Sequence, residues 1–347
     1  MKTLETERLI LRKYTENDFP AVHSYGSCVE NIIYMPFGPN TEEQTWDFIK
    51  LAIDKAEETP ITHYQYAVEL KENGRFIGGC GINLSNVENE IGWLVLRDFW
   101  KEGFGTEMGK ELLRFGFEEL NLHRIIARCD AENIGSYKIM EKLGMRREGL
   151  SLESRPAHKL SDKKYGDELL YAILKDEWET QKEIAYYKTL PVVFDNFIEL
   201  PELSDGVIHL VCTAKNQAIP EKKYVPSYDF AVCKGSEKIG EIHLRIGYSG
   251  FGPDESSLYY GGQIGYGIDE EFRGNGYAVR ACKLLGTVAK AHDMTKLLIT
   301  NDYTNTASRR VCEKLGTRFI RMVRLPEWTD LYKEGQRYIK IYEWSVA

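Results

Sequence analysis

One order of residues occurs twice in this chain, and it limits the fold more than any other feature. Ile264-Gly265-Tyr266-Gly267-Ile268 reads as a strand, Glu270-Glu271-Phe272 as a turn, and Arg273-Gly274-Asn275-Gly276-Tyr277-Ala278 as a glycine loop that opens a helix. Apolar residues at helical spacing follow through Leu284, Leu285, Val288 and Ala289. A strand over 296–300 comes next. Asn305-Thr306-Ala307-Ser308 then caps a second helix ending at Glu313-Lys314-Leu315-Gly316, with Gly316 where a helix C-terminus favours positive φ. Ile91-Gly92-Trp93 and Gly103-Phe104-Gly105 repeat this order 173 residues earlier (276 minus 103). Asn133, Ser136 and Glu141-Lys142-Leu143-Gly144 follow at 172 (305 minus 133), so one residue is lost between strand and cap. A repeat this long is two copies of one domain, not a solenoid unit.

The chemistry of the repeated loop comes from its backbone. Residues with little or no side chain at a helix start leave several N–H groups unpaired at the positive end of the helix dipole, which makes an anion site. At 347 residues the chain divides into a first domain over 1–178, a helical linker over 179–190 that is free of Gly and Pro, and a second domain over 191–347. Each is large enough to bury its own core. A net charge of −8 argues against a broad nucleic-acid surface and does not repel a cationic amine. The seven cysteines are scattered without Cys-x-x-Cys spacing and read as reduced thiols. No apolar run approaches a membrane span and no signal segment opens the chain, so a cytoplasmic protein is expected.

The paired pattern resembles the GNAT superfamily of acyl-CoA-dependent N-acyltransferases, whose motif is Arg/Gln-x-x-Gly-x-Gly/Ala at a strand–helix junction, followed by an Asn-led helix. The second copy matches with Arg273, Gly276 and Ala278; the first has Trp100, then Gly103 and Gly105. The run from Trp100 through Lys101, Gly103 and Thr106 to Glu107 is similar to the branch that acetylates ribosomal-protein N-termini and small amines, where Trp is common. The resemblance covers almost the whole chain. It implies an α/β (α+β) fold: two tandem domains, each a mixed, mostly antiparallel sheet flanked by helices and splayed at the CoA site, able to pack as a pseudo-dimer.

It also implies acetyl-CoA as cofactor, with no metal, and transfer of the acetyl group to a primary amine by direct attack, the acceptor being a small-molecule amine or a protein N-terminus. The pyrophosphate would sit on the N–H groups of Gly103, Phe104, Gly105 and Thr106, and of Gly274, Asn275, Gly276, Tyr277 and Ala278, aided by Arg273 and, in place of Trp100, by Lys101. The pantetheine and oxyanion would use backbone groups of Trp93, Leu94 and Val95, and of Tyr266, Gly267 and Ile268, with Asn133 and Asn305 contacting the pantetheine as well as capping. Glu90, at the head of its strand, is the candidate base; its counterpart Gln263 cannot take a proton, and Glu241 and His243 are weaker substitutes. Many relatives place the acid for the leaving thiolate where this chain has Met140 and Cys312, so Ser136, Ser308 or water must serve. The competing reading is an acyl-CoA sensor or scaffold, one or both domains lacking turnover. A dinucleotide-binding reading, in which Asp130 and Asp302 would hold a ribose, lacks the third glycine and needs the loop early in each domain.

The rest of the first domain reads as a strand over 4–14, a helix from Asp18 to Tyr25, and a helix over 41–57 with Thr41 and Gln44 at capping-box spacing. A hairpin over 65–82 turns at Asn73-Gly74, and closing strands over 146–152 and 168–174 flank a polar loop over 155–166. Tyr25, Tyr34 and Phe37 either line an acceptor pocket or pack in the core. The second domain is expected to repeat the plan, with extra Gly- and Ser-rich material over 247–262 that could cover or widen its acceptor entrance.

Overall fold

The computed structural model describes residues 1–222, 224–248 and 257–346. It divides into two compact units, Met1–Glu179 and Thr180–Ala347. In the first unit the stretch read as one strand is a hairpin, β1 (Leu4–Glu5) and β2 (Leu9–Lys13). Thr6 makes the turn: its N–H reaches the Leu9 carbonyl at 3.0 Å and its hydroxyl accepts from Leu9 N–H at 2.9 Å. Helices α1 (Phe19–Gly26) and α2 (Glu42–Glu57) follow. The α2 start is a reciprocal cap, with Gln44 N–H on Thr41 Oγ1 at 3.2 Å and Thr41 N–H on Gln44 Oε1 at 2.9 Å. Then come β3 (His63–Leu70), β4 (Phe76–Asn83), β5 (Glu90–Val95), α3 (Phe104–Arg114), β6 (Arg124–Asp130), α4 (Ile134–Lys142), β7 (Arg146–Pro156) and β8 (Tyr165–Leu174). Bulges at Arg147/Gly149 and Ser151/Arg155 let β7 and β8 pair further out than the polar loop suggests.

The eight strands form one sheet in the order β1-β2-β3-β4-β5-β6-β8-β7, antiparallel except for β5 and β6. Those two are paired at Glu90 and Ile126 alone, so beyond that point the sheet opens. A doubly wound parallel sheet is excluded. Met108 and Leu112 of α3 are buried in the main core with strand residues such as Ile82, Ile91 and Ile125, while Ile49 and Ala52 of α2 pack in a second cluster with Tyr14 and Tyr25.

Helix α5 (Lys175–Lys188) gives Trp178 to the first core and Ile184 and Tyr187 to the second. The second unit continues with β9 (Leu203–Ser204), β10 (His209–Asn216), β11 (Ser227–Lys234), β12 (Glu237–Arg245), α6 (Ser257–Gly261), β13 (Ile264–Ile268), α7 (Tyr277–Lys290), β14 (Lys296–Asp302), α8 (Thr306–Leu315), β15 (Arg318–Arg324), α9 (Asp330–Lys333) and β16 (Tyr338–Ser345).

The second unit departs from the expected plan in two places. Only residues 217–226 join β10 to β11, with one short 3-10 turn over Pro220–Lys222, so among the described residues nothing there corresponds to α1 and α2. Its strands also form two sheets, β13-β12-β11-β10-β9 and β14-β16-β15. At the junction Gln263 N–H still donates to the Leu298 carbonyl at 2.9 Å, but the return bond differs. In the first unit Ile126 N–H donates to the Asn89 carbonyl at 2.8 Å; in the second the equivalent Leu298 N–H donates at 2.6 Å to the side-chain Oε1 of Gln263. Residues 249–256 of the insertion expected to cover the acceptor entrance lie outside the described residues.

Candidate functional site

Both glycine loops have the backbone that an anion cradle requires. Gly103 and Gly276 stand at the N-caps of α3 and α7 with φ of 84° and 78°, in the left-handed region that favours glycine. The first bonds of these helices run from Glu107 N–H to Gly103 and from Arg280 N–H to Gly276, so the N–H groups of Phe104, Gly105 and Thr106, and of Tyr277, Ala278 and Val279, have no intrahelical acceptor. A Cβ built on Gly274 or Gly276 meets nothing within 4 Å, so the space above the second loop is open. Lys101, the counterpart of Gly274, takes φ of 68°, which costs a non-glycine residue about 1 kcal/mol. Gly105 has a different reason to be glycine: a Cβ there would meet Ile139 Cδ1 at 2.6 Å, where α3 and α4 approach.

Trp100 and Arg273 do the same positional work with different chemistry. Trp100 Nε1 donates to the Val95 carbonyl at 2.6 Å, and Arg273 Nε to the Ile268 carbonyl at 2.9 Å, each pinning the loop to the end of its strand. Arg273 keeps the rest of its guanidinium facing solvent beside the loop, while Asn275 Nδ2 turns back to the Phe272 and Arg273 carbonyls. In the first loop a charge comes from Arg8, which the motif does not reveal. Its Nη1 donates to the Glu102 carbonyl at 3.1 Å and its guanidinium covers Phe104, but Glu107 pairs with it at 2.6 Å. The second unit reverses that pair, with Arg280 of α7 bound to Asp205 of the hairpin turn at 2.7 Å.

The first unit holds a cavity of about 940 Å³ over the opened sheet. It brings together Glu90, Trp93, Leu94, Asn133 and Ser136, and leaves Val95, Lys101, Gly103, Phe104, Gly105 and Thr106 outside it. Tyr25, Tyr34 and Phe37 also reach it; Tyr25 is at the same time buried in the cluster under α2, so both readings of that residue hold. The cavity floor is bare because β4 and β5 face each other there with Gly81 and Gly92. A Cβ on Gly92 would meet nothing within 4 Å, whereas one on Gly81 would strike the Tyr64 carbonyl at 2.3 Å, so the approach of β3 excludes a side chain at 81.

Glu90 accepts from Arg128 Nη1 at 2.9 Å, and Arg128 also bonds Glu88 and lies 3.7 Å from Glu168. Burial raises the Glu90 carboxyl above its ordinary value, and Arg128 opposes part of that rise. Asn133 Oδ1 accepts from Ser136 N–H at 3.1 Å, as a helix cap. Met140, fully buried, lines the cavity beside Ser136 and has no proton to give. Cys129 lines it too, and burial pushes its thiol up to about 11.

The counterparts in the second unit are placed differently. Gln263 is fully buried, with Nε2 on the Gly247 carbonyl at 3.0 Å and Oε1 on Leu298 N–H. His243 pairs across the sheet with Gly265, the position of Gly92, and its ring lies where a Gly265 Cβ would be, at 2.2 Å. Its Nε2 is buried without a hydrogen-bond partner, and burial, then Arg245, lowers its pKa. Glu241 is exposed and 3.7 Å from Lys238. Tyr266, expected to serve through its backbone, also sends its hydroxyl to Ser308 Oγ at 2.9 Å, and burial raises that phenol's pKa. Asn305 Oδ1 accepts from Ser308 N–H at 3.0 Å, and Cys312 is buried against Asn301.

Four residues of the first site escaped the sequence reading: Arg8, Arg128, Asp130 in any role but a ribose contact, and Arg155. Only Arg128 carried a signal, a charge inside an otherwise apolar strand. Among the described residues no group of His, Cys, Asp and Glu is arranged to hold a metal, and no helix is long and apolar enough to cross a membrane. All seven cysteines are free thiols.

A family model described as an acetyltransferase (GNAT) domain matches the chain twice, at residues 8–146 and 200–318. The uncharacterized N-acetyltransferase YnaD of Bacillus subtilis (strain 168) is 36% identical over 178 residues, covering 50% of this chain and 98% of that protein. The uncharacterized N-acetyltransferase p20 of Bacillus licheniformis is 37% identical over 154 residues, 43% of this chain and 85% of its own length. The crystal structure of a GNAT-family acetyltransferase from Bacillus anthracis aligns with a TM-score of 0.44 at 33% identity, over 50% of this chain and 99% of that one.

Proposed function

The chain belongs to the GNAT acetyltransferase family and is an N-acetyltransferase, and on that premise we propose that it transfers the acetyl group of acetyl-CoA to a primary amine held in the first unit. The observation that carries this reading is the glycine-floored cavity with Glu90 in its wall, against the imidazole that fills the matching place in the second unit.

Acetyl-CoA supplies an activated acyl thioester. The open N–H groups of Phe104, Gly105 and Thr106 suit its pyrophosphate, and the edge of β5 at Trp93 and Leu94 suits the pantetheine and the carbonyl oxygen, because beyond Glu90 that edge has no strand partner in β6. Glu90 takes a proton from the acceptor ammonium, directly or through water, and its raised pKa makes it a better base than an ordinary carboxylate. The free amine attacks the carbonyl carbon and the C–S bond breaks; Ser136 or water relays the second amine proton to the thiolate. The acceptor is a small amine or a protein N-terminus. Unbridged cysteines support a reducing, cytoplasmic setting.

For the second unit a different reading is favoured by His243 over Gly265 and, among the described residues, by the lack of counterparts to α1 and α2: it holds CoA through Arg273 and the loop without turning it over. Thiol release from acetyl-CoA with a pool of primary amines tests the whole proposal. Release should depend on amine and fall about 10²–10⁴-fold with Glu90→Gln near neutral pH; amine-independent hydrolysis or none would overturn it.

A further inference from the structure

Six buried side-chain polar atoms among the described residues lack a hydrogen-bond partner, and two of them face each other: Asp130 Oδ2 and Arg155 Nε. Asp130 ends β6 and is only 2% exposed. Its Oδ1 accepts from Glu132 N–H at 2.9 Å, leaving Oδ2 unbonded. Arg155 reaches it from β7 across the bulge at Ser151, with Nε 3.7 Å from Oδ2, an attraction of charges but too long for a hydrogen bond. The guanidinium is fixed from the other side, Nη2 donating to the Tyr34 carbonyl at 2.7 Å. Both residues line the cavity. A buried carboxylate oxygen and a buried guanidinium N–H left unbonded are each costly, so a bound molecule or water is expected to satisfy them.

Water can satisfy both in the free site, so a ligand that displaces it must replace both bonds. Asp130 Oδ2 needs a donor, Arg155 Nε needs an acceptor, and the two must stand side by side. An α-amine with a carbonyl on the neighbouring carbon presents its nitrogen and oxygen about 2.8 Å apart, matched to groups 3.7 Å apart. A simple alkylamine leaves Arg155 unbonded, and a polyamine sets a second cation against it. We infer that Asp130 and Arg155 read the acceptor, and that it is an α-aminoacyl group, a free amino acid or the first residue of a chain, with its amine at Asp130 and its carbonyl at Arg155. This rests on the reading that the first-unit cavity is the acceptor site. The counterpart Asp302 differs in burial: its Oδ1 accepts from the N–H and hydroxyl of Thr304, and the residue is only half-buried, so its other oxygen is not held away from water as Asp130 Oδ2 is. An α-amine also has an ordinary pKa of about 7.7–8.0, low for an amine, so less work is asked of Glu90.

The test uses the full chain at saturating acetyl-CoA with alaninamide and isopropylamine, which share a branched amine and differ in the carbonyl, compared per concentration of unprotonated amine. Alaninamide should give the higher kcat/KM. Arg155→Ala should lower that preference about 10–100-fold, the worth of a hydrogen bond to a charged group, chiefly through KM for alaninamide, while isopropylamine is little changed. Arg155→Lys, which keeps the charge but moves the donor, should lose most of the preference as well. Unaltered affinity at the weaker of the two CoA sites, together with an unchanged thermal midpoint of the first unit, shows the variants folded. Equal losses for both amines, or putrescine preferred over alaninamide by the wild-type chain, would overturn the inference. If no amine released thiol, the functional reading would fail separately. The inference would then be decided by calorimetry of alaninamide with the CoA-saturated chain: binding lost in Arg155→Ala supports it, and no binding or unchanged binding overturns it. Free alanine, with its carboxylate, and short alanine-led peptides compared at equal concentration separate the free from the chain-terminal source.

Discussion

The two units share a loop and differ in what covers the sheet beside it. In the first, α1, α2 and the segment between them stand beside the opened sheet over the Gly81–Gly92 floor, and a cavity results. In the second, residues 217–226 replace both helices and His243 occupies the floor. The phosphate loops run the other way: the second has a solvent-facing Arg273 where the first has the indole of Trp100, while each loop's other arginine is paired, Arg280 with Asp205 and Arg8 with Glu107. On the proposed reading, one backbone plan serves the acceptor in one copy and the anion in the other. Backbone geometry sets where a ligand can lie, while side chains at a few aligned positions decide which part of it is held.

The most severe way to break this comparison is to remove the base. Glu90→Gln should lower turnover near neutral pH about 10²–10⁴-fold with CoA affinity almost unchanged, and part of the rate should return at higher pH as more amine deprotonates unaided. In the wild type the acid limb should lie above the ordinary carboxylate range, since the raised pKa of Glu90 means its basic form is lost as pH falls through that higher value. If Glu90→Gln kept most of the turnover and His243→Ala then removed it, the active unit would be the second.

A smaller effect separates the paired positions 90 and 263. Gln263→Ala should destabilise the second unit by about 2–4 kcal/mol, because Leu298 N–H and the Gly247 carbonyl both lose a buried partner. Glu90→Ala, at a partly solvated carboxylate, should move the first unit's thermal midpoint far less; equal shifts would mean that Gln263 does not hold the sheet junction.

Smaller again is the charge at the loop. Arg273→Ala should weaken CoA binding at the tighter of two calorimetric sites about 10–100-fold and spare most of the turnover, and Trp100→Arg should strengthen the weaker site. A turnover lost with Arg273→Ala at saturating acetyl-CoA would contradict the division of labour. The smallest difference is one of strain. Lys101→Gly relieves about 1 kcal/mol of left-handed backbone and gives part of it back as unfolded-state entropy, for a gain of a few tenths of a kcal/mol. Gly274→Ala should lose about 1 kcal/mol, and thermal melts of the two variants would show opposite signs.

The sequence by itself determined the repeat, the glycine loops that open two helices, the left-handed Gly316, the Asn-capped helices and the capping box at Thr41 and Gln44. These are local: the spacing of apolar residues and the need to bond each helix terminus act within a few residues of chain. Glu90 against Gln263 was legible as a chemical difference, but not that the Gln263 side chain takes the place of a backbone acceptor at the sheet junction, since that depends on which amide stands opposite across a strand. Trp100 read as a departure from Arg273, yet both bond the same strand-end carbonyl, an equivalence visible only once loop and strand are side by side. Tertiary structure alone decided that Arg8 joins the first loop, that Asp130 meets Arg155, and that His243 lies over Gly265 where Gly81 leaves space. Contacts between residues far apart in the chain carry no spacing to read, and the same glycine in a strand can floor a cavity or receive a ring according to the residue paired across from it.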